Sequence, residues 1–480
     1  MIHDLELYIG SARWFGGKGR GFRVSDVRRL GTLGDPEPGP VVGVELATLA
    51  YDDPSTGSGQ GATETYQVPL SYYAAPQDRL EHAFVGTWHD ETLGTVHAYD
   101  ALHDREATIL WLRAFAAEAT EGDLQFHRLP GHDLDLTTHS TLFSGEQSNS
   151  SVAFGEDSLM KVFRKVTSGH NPDIEIHEAL TRAGDDHVAA LYGWLEVPGS
   201  ADGDGAPLHL AMLQQFLRTA SDGWDLALAS VRDLYAEADL HADEVGGDFA
   251  GEAHRLGHAT AAVHEALAAE FPTVTWASAD LAALATAMES RLDDAITVVP
   301  ELSEHASALR HAFVAVAELS EPVVAQRVHG DFHLGQTLRT VKGWKIVDFE
   351  GEPAKPLADR VRPDSRWRDV AGMLRSFDYA AHAVENDVDA DDEARRQISF
   401  RAGEWAARNQ EAFLDGYVEG LERRTAESPG ELSGAEHALL RAYQADKAVY
   451  ETVYEARNRP TWLGIPLGAV ERLAKEEIDT

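Results

Sequence analysis

The spacing of apolar positions changes character near the middle of the chain. Up to about residue 218 the apolar residues come in short runs or alternate with polar ones, the pattern of β-strands. Strands are predicted at 41–46, 65–72, 142–143, 152–154, 158–164 and 208–217. The Gly/Ser/Thr-rich segment 53–61 reads as a hairpin tip. Residues 105–119 show helical spacing, and a second helix opens at 171–180 with Pro172 in its first turn. Beyond 219 the apolar residues recur at i, i+3 and i+4. This predicts helices at 226–238, 252–269, 281–296, 304–319, from Trp367 onward, at 400–421 and, as the last, at 438–457. Short β segments at 324–350 interrupt the series. Three parts follow, 1–100, 101–218 and 219–480, in an α+β chain with its strands first and its helices last.

Composition narrows the chemistry. There are 480 residues and no cysteine, which removes disulfides, thiolate metal sites and a cysteine nucleophile. A net charge of −39 argues against nucleic acid and anionic membranes as partners. The start, Met1-Ile2-His3-Asp4-Leu5-Glu6, has no basic region followed by an apolar core, and no apolar run reaches membrane-spanning length. A cytoplasmic protein is expected, monomeric, with a dimer as the alternative. Lysine is scarce, at 18, 161, 165, 342, 345, 355, 447 and 475, so one inside an apolar strand needs a reason.

Two stretches carry candidate chemistry. The first is Val328-His329-Gly330-Asp331-Phe332-His333-Leu334-Gly335-Gln336; the second is Trp344-Lys345-Ile346-Val347-Asp348-Phe349-Glu350-Gly351. Asp331, an amide five positions later at Gln336, and Asp348 at the end of an apolar run form an ordered set. Kinase-like phosphotransferases need such a set: one carboxylate for the acceptor hydroxyl, an amide and a second carboxylate for Mg²⁺. Lys161 lies in the apolar run 158–164, where a kinase keeps the lysine that meets the α- and β-phosphates. Glu175, with Glu178 as the alternative, is the carboxylate expected to aim it. The polar turn with Ser144, Ser148, Asn149 and Ser150 stands where a phosphate-covering loop belongs, and Gln215 and Leu217 where a hinge offers backbone groups to adenine. His333 and Glu350 are further candidate ligands for the sugar or the metal. The glycine-rich Arg13–Arg20 segment lacks P-loop spacing and reads as a structural turn. Glu451 and Glu455 share a helix face beside Tyr454, close to Trp462. Carboxylates next to aromatic rings suit a pyranose.

The chain resembles the bacterial maltokinases, in the wider group of aminoglycoside and choline phosphotransferases. The motifs that carry this are Arg13-Trp14-Phe15 with Gly17-Lys18, Tyr99 to Asp104, Glu146 to Ser150, Asp222-Gly223-Trp224, His329-Gly330-Asp331, Asp348 to Pro353, and Asp446 to Glu451 through Asn458 to Leu463. The resemblance implies a bilobal protein-kinase-like fold with an N-terminal cap subdomain at 1–100, an intermediate lobe carrying the nucleotide loop, and a helical C-lobe holding the sugar. It implies ATP and Mg²⁺ as cofactors and phosphorylation of maltose to maltose 1-phosphate, feeding α-glucan synthesis. Glucosamine kinases share these motifs, so glucosamine is the alternative acceptor. A nucleotide- or glycan-binding pseudokinase is the rival of a different class.

Overall fold

The computed structural model describes residues 1–36, 39–51, 63–143, 148–199, 205–236, 241, 247–352, 355–385, 392–422 and 432–478. The loop at 53–61, Ser144 and Pro353 therefore lie outside the described residues. Contacts divide the chain into two compact units, Met1–Glu178 with Ala189–Arg218, and Ala179–Val188 with Thr219–Thr480.

The first unit carries two antiparallel sheets. In one, the strands Phe22–Leu33, Val41–Tyr51, Thr63–Tyr73, Gly94–Asp100 and Phe84–Asp90 lie side by side in that order. Val41–Tyr51 is an interior strand covered on both faces, and nine of its eleven positions are buried. An opening helix, Ile2–Ser11, was not expected; Leu5 and Ile9 bury its inner edge. The other sheet sets Leu124–Arg128, Leu191–Val197, Leu208–Gln215, Ser158–Phe163, Asn149–Phe154 and Ser140–Leu142 in that order. The Arg105–Ala117 helix packs on it through Trp111, Leu112 and Phe115. A single apolar cluster joins Val42, Val44 and Leu46 of the first sheet to Met160, Val162 and Leu210 of the second. Gln67 ties the sheets further, donating its side-chain amide to the Phe163 and Leu210 carbonyls at 3.1 and 2.9 Å. The Arg13–Arg20 segment is a turn, with Trp14 and Phe15 buried against Tyr66.

The second unit is helical around two small sheets, one of Ser221–Asp222, Thr337–Thr340 and Gly343–Ile346, the other of Val274–Trp276 and Val323–Ala325. Lys345 explains itself there: its ammonium donates to the Asp186 and Val188 carbonyls, so its charge is solvated by backbone. The helices predicted from periodicity appear as Gly223–Ala236, Ala250–Glu270, Ser278–Val298, Ala306–Ala317, Trp367–Glu385, Asp392–Glu422 and Gly434–Asn458. Gly434–Asn458 is not the last. Gly464–Ile478 follows it, masked in the sequence by Pro466, which sits in the first turn where no intrahelical N–H is lost. Among the described residues no helix is long and apolar enough to cross a membrane.

Candidate active site

In the second unit the two motif halves are held together by a histidine. His329 donates from Nε2 to the Val347 carbonyl at 3.0 Å, and its Nδ1 receives the Asp331 N–H at 3.4 Å. The residue two before Asp331 is thereby tied to the residue before Asp348. Asp369, buried on the Trp367–Glu385 helix, accepts the His329 and Gly330 N–H groups at 2.7 and 2.9 Å. His264 of the Ala250–Glu270 helix reaches the same carboxylate at 3.1 Å. Burial alone would raise the Asp369 carboxyl; His264 and His329 reverse this and hold it below the ordinary range. The helix can lie this close because Gly372 faces the Phe332 carbonyl, 2.6 Å from where a Cβ would stand.

Asp331 faces a cation that sequence reasoning did not assign to it. Lys447, on the Gly434–Asn458 helix, places its ammonium 3.5 Å from Asp331 Oδ1. Burial pushes the Asp331 carboxyl up, but Lys447, His333 and His329 outweigh it and hold it below the ordinary carboxylate range. His333 accepts the Gly335 N–H at Nδ1 (3.1 Å), and burial lowers its own pKa. Gln336 and Asp348 meet at 3.1 Å through the Gln336 amide N–H. Asp348 adopts φ 67°, a left-handed backbone that a non-glycine residue accepts at a cost of about 1–3 kcal/mol and that clusters at ligand sites. Phe349 anchors the next turn in the core and leaves Glu350 half-buried.

A cavity of about 620 Å³ opens on Asp331 and His333. Its wall includes Trp224, Tyr379, Tyr450, Tyr454 and Trp462, and four carboxylates, Asp331, Glu352, Glu451 and Glu455, against two cations, Lys447 and Arg459. Glu451, Tyr454 and Trp462 were expected there. Glu451 does double duty: its carboxylate takes two hydrogen bonds from the buried Arg375 guanidinium, at 2.9 and 2.8 Å. Glu455 is held by Arg459 (2.6 Å) and by the Tyr379 hydroxyl (3.1 Å), and Tyr379 stacks with Trp462 at 6.3 Å. Tyr379, Glu352, Tyr450 and Lys447 were missed as site residues. The signal was present for Lys447, a rare lysine one helical turn before Glu451.

In the first unit Lys161 lies in the Ser158–Phe163 strand, and its ammonium meets a carboxylate. That carboxylate is Asp173, at 2.9 Å, two residues ahead of the expected Glu175. Asp173 is chosen because the Asn171 side chain caps its N–H (2.8 Å) and fixes the start of the helix over the strand. Burial would raise its carboxyl, but Lys161 and His177 hold it far below the ordinary range. Ser148 is exposed and Asn149 buried. The Ser150 hydroxyl is turned inward and accepts from Arg164 Nε at 2.8 Å, within a buried network with Asp100 and Tyr8. This is a structural role in place of the expected phosphate contact. Gln215 spends its N–H on the Ala190 carbonyl (2.8 Å), and Leu217 follows half-buried at the end of the unit.

Residues 8–104 match the maltokinase N-terminal cap domain. The chain is 32% identical over 332 residues to a glucosamine kinase of Streptacidiphilus jiangxiensis, covering 67% of this chain and 70% of that protein. It is 26% identical over 351 residues to a glucosamine kinase of Mycolicibacterium smegmatis, covering 70% and 79%. A solved glucosamine kinase, in complex with glucosamine, ADP and inorganic phosphate, has the same fold. Its TM-score is 0.67 at 24% identity, over 98% of this chain and 100% of that one.

Proposed function

Because the chain belongs to the glucosamine kinase family and is an ATP-dependent phosphotransferase with a sugar hydroxyl as acceptor, we propose that its sugar is an amino-hexose, glucosamine. The observation that carries this is the wall around Asp331. Asp331, Glu352, Glu451 and Glu455 bring four carboxylates to it, whose oxygens can accept from an ammonium, and the flanking aromatic rings suit the C–H face of a pyranose.

In this reading a sugar hydroxyl lies against Asp331. Its oxygen attacks the γ-phosphorus of ATP, the bond to the β–γ bridging oxygen breaks, ADP leaves, and the hydroxyl proton passes to the Asp331 carboxylate. A carboxylate held ionised by Lys447 is ready to receive it. Lys161, aimed by Asp173, meets the α- and β-phosphates, and the backbone at Ser148 and Asn149 covers them. Gln215 and Leu217 border the adenine. Gln336 and Asp348 fit Mg²⁺: both are hard oxygen donors, already paired, and half a turn of the Gln336 amide presents Oε1 in place of its nitrogen. Mg²⁺ there would neutralise phosphate charge. The protein's own part is positioning and charge complementarity.

Maltose is the second reading. It is favoured by the match of residues 8–104 to the maltokinase cap and by the motif from Asp446 to Leu463. A coupled ADP-release assay over glucosamine, maltose, glucose and kanamycin separates them. The highest kcat/KM belongs to glucosamine if the carboxylate wall selects an amine, and a preference for maltose would replace this proposal.

A further inference from the structure

Away from the acceptor cavity, on the Ala250–Glu270 and Asp392–Glu422 helices of the second unit, two histidines and a glutamate converge. His254 and His258 are i, i+4 on one helix and so share a face; Glu419 comes from the other. Their ligand atoms all lie within 4.8 Å of one another. The convergence follows from an unusually close helix crossing. A Cβ on Gly416 would stand 2.0 Å from the His254 carbonyl, and one on Gly257 2.1 Å from the Phe413 carbonyl, so both positions must lack a side chain.

We propose that His254, His258 and Glu419 bind a divalent transition-metal ion of the Zn²⁺ class that cross-links these two helices. The distances support an ion better than a simple charge pair. Glu419 Oε2 stands 3.4 Å from His254 Nε2 and 3.4 Å from His258 Nε2. A charge-assisted hydrogen bond would draw these atoms to about 2.7–2.9 Å. A tetrahedral ion bound at about 2.1 Å separates its ligands by about 3.4 Å, the distance from Glu419 to each histidine. Two imidazoles with one carboxylate select Zn²⁺ and its neighbours over Mg²⁺ or Ca²⁺, which prefer all-oxygen sets. The side chains remain open to solvent, at 35%, 21% and 55% exposure, so an ion can enter and water can take the fourth position. The cross-link would also steady the catalytic loop. His264 on the first helix bonds Tyr417 on the second at 2.8 Å and Asp369 at 3.1 Å, the carboxylate that holds His329 and Gly330.

The test is calorimetric titration of the chelator-stripped full chain with Zn²⁺, in excess Mg²⁺ to occupy oxygen-only sites, with melting temperature and the Co²⁺ absorption spectrum as independent readouts. The wild type is expected to bind one Zn²⁺ per chain, melt higher with it, and give the intense visible bands of four-coordinate Co²⁺. In His254→Gln/His258→Gln the affinity should fall about tenfold or more and the rise in Tm should vanish. Glu419→Gln, at an exposed carboxylate, gives the same result should the double variant fail to fold. No Zn²⁺ binding by the wild type, or unchanged affinity and Tm rise in the variants, would overturn the proposal.

Discussion

Asp331→Asn is the sharpest perturbation of the proposed reaction. The substitution keeps the shape and lets the side chain still meet a hydroxyl, but it cannot take the proton. Positioned general bases contribute about 10²–10⁴-fold, so kcat should fall at least about 100-fold, near 2.7 kcal/mol of barrier at 1.36 kcal/mol per decade. The cost to the fold is small by comparison. The only ion pair lost among the described residues is with Lys447, at 3.5 Å, between side chains 31% and 26% exposed. Partly exposed pairs of this kind are worth about 0–1 kcal/mol. At about 2–4 °C per kcal/mol for a large domain, Tm should move by no more than about 4 °C. The KM for ATP should hold, since the loss falls on the chemical step. Steady-state kinetics with a melting curve on the same preparation decide it. Near wild-type turnover, or a collapse in Tm large enough to account for lost activity, refutes the assignment of Asp331 as base.

Further expectations follow from the same geometry. Lys447→Met removes the cation that holds Asp331 low and leaves burial unopposed by it, so the folded pKa rises and the acid limb of kcat/KM moves to higher pH; an unmoved limb in the pH–rate profile contradicts this. The sign is that of a depressed carboxylate, present as the base above its folded pKa and lost as pH falls through it. Glu451→Ala strands the Arg375 guanidinium, 2% exposed, with only Asp378 beside it, and should cost about 3 kcal/mol or more, seen as a Tm drop of roughly 6 °C or more. Trp462→Ala, by contrast, removes a half-buried wall of the cavity and should raise the sugar KM with little change in Tm or in the KM for ATP; a lowered Tm with unchanged sugar KM would make Trp462 a packing residue only. Asp173→Asn should raise the KM for ATP by loosening Lys161, and equal nucleotide KM values in variant and wild type would detach the pair from phosphate binding.

The residue pattern alone determined the order of β-rich then helical parts and most helix spans, because apolar periodicity is a local property that burial enforces. It also singled out Asp331, Gln336, Asp348 and Lys161 as candidates, by side-chain type and spacing. What it could not determine were the partners. Asp173 against Glu175 is a question of where a helix starts, and a side-chain cap at Asn171 settled it. Ser150 turned inward because the buried Arg164 guanidinium needed an acceptor in the core, a need that the strand pattern does not show. Lys447 and Asp369 reach the His329–Asp331 loop from helices far along the chain. Glu451 joined wall and fold together because a buried arginine had to be neutralised. Short-range pattern carries helix, strand and reactive group; which charges meet is decided only when distant segments pack, since the cost of leaving a buried charge unpaired is imposed by the finished core.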